Sequence, residues 1–147
     1  MTLCALVVGS GWGAHAARAF ATDPRVRLAG LVGQGSDRTL LLGAELAVPV
    51  FANLRDAIRG VRPDIAAVAA GEAAHAAMVR ELLTSGCNVL CAHPVATDVE
   101  RVSALAEMAR RRGRIAVADY TLRLTPAYGA ACAALDRCGT LLRTSIQ

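Results

Sequence analysis

The sequence predicts an α/β fold: a doubly wound, Rossmann-like, mostly parallel six-stranded sheet in the order 3-2-1-4-5-6, with helices on both faces. Three observations carry this. Strand-length apolar runs alternate with helical segments along all 147 residues. The runs are continuous rather than interleaved with polar residues, as in strands covered on both faces. A glycine-rich turn, Gly9-Ser10-Gly11-Trp12-Gly13-Ala14, joins the first run to an Ala-rich helix.

The elements follow in order. Leu3–Val8 is the first strand, and Ala14–Ala21 a helix broken by Asp23-Pro24. Val26–Val32 is the second strand, followed by a helix over Ser36–Leu46 with Ser36 as its N-cap. Val50-Phe51 is a short third strand, and Asn53 caps a short helix to Ile58. Ile65–Ala70 is the fourth strand. Ala73–Thr84 is a helix with Gly86 just past its end, where a left-handed residue is preferred. Asn88–Cys91 is the fifth strand. Thr97-Asp-Val-Glu100 reads as a capping box opening a helix to Arg112, stopped by Gly113. Arg114–Ala118 is the sixth strand and Thr125–Arg137 the last helix. All five prolines fall at these boundaries.

Composition narrows the class. Hydrophobic residues make up 54% and mean hydropathy is +0.41, enough for a substantial core and against global disorder. Aromatics are only 3%, so that core is built from Ala, Val, Leu and Ile. The longest apolar run, Ile65–Ala70, is strand-sized, which argues against a membrane partner. MTLCALVVG lacks a basic leader and a cleavage pattern, so the expected location is cytoplasmic. Five cysteines (Cys4, Cys87, Cys91, Cys132, Cys138) include no C-x-x-C and no Cys/His pairing, so no metal site is expected. Net charge is +4. The densest basic cluster, Arg110, Arg111, Arg112 and Arg114, ends a helix, where cations complement the dipole. No aromatic side chain is interleaved with it, so no nucleic-acid partner is expected.

The turn fits G-x-G-x-x-G/A, with Gly9, Gly11 and Ala14 in the three positions. Gly9 allows the tight turn, Gly11 admits a pyrophosphate to the backbone, and small Ala14 lets helix and strand approach. Gly13 adds freedom beside Trp12. Strand before and helix after are the context this motif requires, and the helix start offers free N–H groups to phosphate. The expected ligand is a dinucleotide at Gly9, Ser10, Gly11, Trp12, Gly13 and Ala14. NAD sites place a carboxylate at the end of the second strand; here Gly33 or Gln34 fills that slot. Gln34, Ser36 and Arg38 on a glycine loop suit a 2′-phosphate, so the expected cofactor is NADP(H). Asp37 is the residue that argues the other way.

Ligands of open α/β sheets lie beyond the carboxyl ends of the strands. Gly71, His75, His93, Asp119 and Tyr120 are expected to gather there, with Gly71, His75 and His93 near the cofactor. Histidine is the side chain suited to proton transfer near neutral pH, so His93, before Pro94, is the candidate proton donor, with Tyr120 as a second. For each histidine, a purely structural hydrogen-bonding role is the competing reading. Arg123 either meets a substrate or pairs locally.

VVGSGWGAHAARAF, GCNVLCAHPVATDVERVSALAEMARRRG and TLRLTPAY together resemble the N-terminal half of the Gfo/Idh/MocA oxidoreductases. His93-Pro94 and LVGQGS are most similar to the thiazolinyl imine reductase branch. That resemblance implies NADPH-dependent reduction of a C=N bond in a carrier-tethered siderophore or nonribosomal peptide intermediate. Ala92-His93-Pro94 stands where the family has Glu-Lys-Pro, and Ala70-Gly71-Glu72 where it has Thr-Pro-Asn. The resemblance also implies a dinucleotide-binding domain over 1–138 and the start of a second, substrate-binding domain over 139–147. A partner chain or homo-oligomer would then close the site. Two other readings remain open: a non-redox binding or assembly protein, and a non-redox catalyst using His93 or Asp119.

Overall fold

The computed structural model describes residues 2–135 and 137. Cys138 and the expected second-domain start at 139–147 lie outside the described residues. The element order is β1 (Leu3–Val8), α1 (Gly13–Thr22), β2 (Val26–Val32), α2 (Asp37–Glu45), β3 (Val50–Phe51), α3 (Leu54–Val61), β4 (Ile65–Val68), α4 (Glu72–Thr84), β5 (Asn88–Ala92), α5 (Val99–Arg111), β6 (Ala116–Asp119), a 3-10 helix (Thr121–Leu124) and α6 (Pro126–Leu135). The six strands are parallel, in the predicted order β3-β2-β1-β4-β5-β6.

The continuous apolar runs have a direct cause. β1 is central, and its successive side chains enter opposite layers. Leu6 and Val8 join a cluster containing Leu54 and Ala57 of α3, Val79 and Leu82 of α4 and Leu105 of α5. Val7 points the other way, among Ala14 and Ala17 of α1 and Leu42 of α2. Each buried Leu or Val contributes about 1.5–3 kcal/mol, so neither layer needs aromatic bulk. Small residues bring α1 close to the sheet: a Cβ on Gly13 would sit 3.2 Å from Val7 Cγ1.

The β1–β2 pairing contains one irregularity. Ala5 pairs with Leu28 but Leu6 with Gly30, so β2 carries one extra residue between them. Val8 is thereby level with Val32, and the amide of Gly9 donates to the Val32 carbonyl at 2.9 Å.

Several boundaries depart from expectation, each through specific hydrogen bonds. The cap of α5 is Asp98 rather than Thr97: the Asp98 carboxylate accepts from the Arg101 amide, ending the predicted capping box. Asn53 caps α3 as expected, but the helix runs past Ile58 to Val61 and closes on left-handed Arg62. β6 begins at Ala116 rather than Arg114, because the Arg114 amide closes α5 by donating to Ala109. β4 ends at Val68 rather than Ala70. The 3-10 helix before α6 was not expected, and α6 starts at Pro126 with the Thr125 hydroxyl accepting from the Tyr128 amide. Among the described residues no helix is long and apolar enough to cross a membrane.

Candidate cofactor site at the strand ends

The turn between β1 and α1 is shaped by its glycines in different ways. Gly9 adopts φ +93°, and a Cβ there would overlap the Ala69 carbonyl. Gly11 has open space where its Cβ would stand. The amides of Ser10, Gly11 and Trp12 donate to no acceptor among the described residues. α1 has no side-chain cap and no acidic residue in its first turn. The result is an open backbone cradle at a positive helix end, suited to an anion. Trp12 does not close it. Its indole is 73% exposed and tilts against the His15 ring, with centroids 5.5 Å apart. Ala14 is buried against the sheet, as its motif position requires.

The segment from the end of β2 into the first turn of α2 carries Gly33, Gln34, Gly35, Ser36 and Arg38, and meets the glycine turn through Thr39 and Ser10. Gln34, Ser36, Asp37 and Arg38 are exposed, and Arg38 has no ion pair among the described residues. Ser36 occupies the N-cap position of α2, but its hydroxyl caps no amide. It lies 3.0 Å from Thr39 Oγ1, which lies 2.8 Å from Ser10 Oγ. Thr39 is only 2% exposed. A Cβ on Gly33 would stand 2.7 Å from both Thr39 Oγ1 and Thr39 Cγ2. Thr39 therefore fills the space a side chain at position 33 would need. Sequence reasoning missed Thr39: a threonine three residues past an N-cap looks like ordinary helix surface.

At the ends of β4, β5 and β6, His75, His93 and Tyr120 gather as expected, but with different surroundings. His75 is 2% exposed. Its Nδ1 lies 2.8 Å from the Pro94 carbonyl and its Nε2 2.9 Å from the Ala70 carbonyl. Both nitrogens face carbonyls, and a neutral ring has one N–H to donate to either of them, so His75 sits between the loops after β4 and β5 and ties to one at a time. Gly71, the N-cap of α4, is exposed, with open space at its Cβ position. His93 is exposed and precedes a cis peptide to Pro94. Its Nδ1 donates to the Asp119 carbonyl at 3.0 Å, and its ring stacks on Tyr120 with centroids 5.4 Å apart. Because a carbonyl only accepts, Nδ1 carries the proton there, and Nε2 is left for another partner. Asp119 accepts from the Thr121 hydroxyl. Arg123, in the 3-10 helix, forms no ion pair among the described residues.

Other polar features lie outside this line. Arg110 and Arg111 both pair with Glu107, and Arg112 donates to the Thr84 carbonyl. Cys4, Cys87 and Cys91 are buried, and no metal-holding cluster occurs among the described residues. A groove of about 540 Å³, lined by Arg59, Arg62, Asp64 and Ser85 among others, lies at the opposite, amino ends of β4 and β5.

Residues 3–120 match the sequence pattern of GFO_IDH_MocA, an oxidoreductase family with an NAD-binding Rossmann fold. No curated protein matches the chain. Among solved structures, GenD2 from gentamicin A biosynthesis, in complex with NAD, is 26% identical, with a TM-score of 0.86 over 92% of this chain and 40% of that one. Two more distant structures share the fold. Biliverdin reductase from Synechocystis sp. PCC 6803, with biliverdin and NADP+, is 21% identical, with a TM-score of 0.88 over 94% of this chain and 44% of that one. Myo-inositol 2-dehydrogenase from Lactobacillus plantarum is 23% identical, with a TM-score of 0.84 over 93% and 42%. The chain thus spans roughly two fifths of the length of the structures it resembles.

Proposed function

Because this chain belongs to the Gfo/Idh/MocA oxidoreductase family, whose matched region is the NAD-binding Rossmann fold, we propose that it binds NADPH and serves in reducing the C=N bond of a small or carrier-tethered biosynthetic intermediate. The observation that carries the cofactor part is the open cradle: unpaired amides at Ser10, Gly11 and Trp12, empty space at Gly11 and an uncapped α1. Preference for the 2′-phosphate is supported by the loop after β2. Thr39 leaves no room for a carboxylate at position 33, while Ser36, Asp37 and Arg38 at the start of α2 are exposed. Asp37 sits in the first turn of α2, where its charge complements the helix dipole. Gln34 and Gly71 would hold the ribose and nicotinamide ends.

A bound nicotinamide supplies a hydride. The chain's part is to orient the acceptor and to deliver a proton. With Nδ1 held by Asp119, the imidazolium form of His93 donates from Nε2 to the substrate nitrogen and is left neutral. Tyr120, stacked on that ring, holds its plane and is the second candidate donor. The relatives extend well beyond the length of this chain, so further polypeptide or a partner copy is proposed to complete the substrate pocket.

Titration with NADPH, NADP+ and NADH, followed by Trp12 fluorescence, tests the cofactor reading. Micromolar or tighter NADPH binding, at least about tenfold tighter than NADH, is the expected outcome. Equal affinities would remove the 2′-phosphate reading, and silence towards all three would remove the cofactor. A second reading, a non-redox assembly protein, is favoured by the exposed apolar side chains of Ile115, Val117, Leu122 and Leu124. It takes over if no nucleotide binds.

A further inference from the structure

Three hydroxyls join the two loops of the candidate site, and their protons can be counted. Ser10 Oγ, Thr39 Oγ1 and Ser36 Oγ form two contacts, at 2.8 and 3.0 Å. Each hydroxyl owns one proton. Thr39 is buried, and those two serines are its side-chain oxygen's only partners among the described residues. If both serines donated inward, the Thr39 proton would be buried without an acceptor, which is costly. Two arrangements avoid this. In one, Ser10 donates to Thr39 and Thr39 to Ser36, leaving the Ser36 proton outward. In the other the direction reverses and the Ser10 proton points outward.

We propose that Thr39 is a specificity-determining positioning residue, whose buried hydroxyl makes the glycine turn and the 2′-phosphate loop share one outward proton between Ser10 and Ser36. This rests on the dinucleotide reading. A phosphate oxygen only accepts, so a 2′-phosphate draws the outward proton to Ser36 and turns the Ser10 proton inward. Without that phosphate, the proton is available at the pyrophosphate turn. The two anion positions are therefore coupled, although 26 residues of sequence separate the serines.

The test is a double-mutant cycle with Ser10→Ala and Ser36→Ala, read by NADPH affinity and by thermal unfolding of the free protein. In NADPH affinity the two losses should depart from multiplying by about 3–10-fold. The departure should vanish in a Thr39→Val background and persist in Thr39→Ser, which keeps the hydroxyl. In the free protein each single change leaves Thr39 one partner, so each is mild. The double change strands a buried hydroxyl and should lower Tm by about 3–10 °C beyond the sum. That excess should also vanish with Thr39→Val. Losses that multiply within twofold, or coupling that survives Thr39→Val, overturn the proposal. If no dinucleotide binds, the cofactor reading falls by itself, and additive melting temperatures would then overturn the hydroxyl chain separately.

Discussion

Gly9 lies so close to the carbonyl of Ala69 that no side chain fits between them, whereas two residues on, Gly11 faces open space. The same motif thus holds one glycine for the fold and another for a ligand. Gly9→Ala meets both a backbone clash and a positive φ, and should cost about 2 kcal/mol or more. Gly11→Ala should stay within about 0.5 kcal/mol of wild type. Gly11→Val should keep its melting temperature yet lose nucleotide binding. Chemical denaturation paired with Trp12 titration checks all three, and a Gly11→Val protein with wild-type affinity would detach the cradle from any ligand.

Arg38 is exposed and unpaired among the described residues, so its removal should disturb only what binds there. Arg38→Ala should weaken NADPH by about 1–3 kcal/mol and change NADH less than twofold. Calorimetric titration with both nucleotides checks this. An equal loss for the two would mean the guanidinium reads something other than the 2′-phosphate.

His75 offers a prediction about stability rather than chemistry. It is buried, and lies between carbonyls on the loops after β4 and β5, donating its one N–H to either. His75→Ala removes that donor and opens a cavity, so it should cost about 2–4 kcal/mol. Amide exchange should accelerate around Gly71 and Val95. A variant as stable as wild type would show that the tie is dispensable.

The buried thiols set an alkaline limit. Burial pushes Cys87 up to about 12, with nearby Asp64 adding to it, and pushes Cys91 up to about 11. Unfolded thiols ionise near 8.5. Above that pH the unfolded chain binds fewer protons than the native one, so stability falls as pH rises. The contribution should be complete below about pH 8.5 and decline progressively towards pH 11–12. Urea midpoints between pH 8 and 11 check the trend. In native protein at pH 8, alkylation mapped by mass spectrometry should mark exposed Cys132 and spare Cys87 and Cys91.

What the sequence disclosed depended on the range of the interaction. Strand order followed from uninterrupted apolar runs, and the cradle from three glycines between a strand and a helix, because both are local patterns. The cap of α5 was off by one, since Thr97 and Asp98 are both competent caps and only the Arg101 amide decides between them. β6 began late because Arg114 was drawn to the end of α5. Thr39 was invisible for a different reason: one of its partners, Ser10, is 29 residues distant, and the room it fills exists only because Gly33 has no side chain. His93 was found by its chemistry, but its stacking on Tyr120 depends on where β6 ends.

The supernumerary residue between Leu28 and Gly30 is absorbed where the two strands change step. Leu28 and Leu31 enter the same apolar layer although three positions apart, and Val32 enters the other. Deleting Ala29 would therefore give an evenly alternating strand, with Val32 still level with Val8 and still accepting from the Gly9 amide. The sheet can thus gain or lose a residue low in β2 without disturbing what stands at its carboxyl rim.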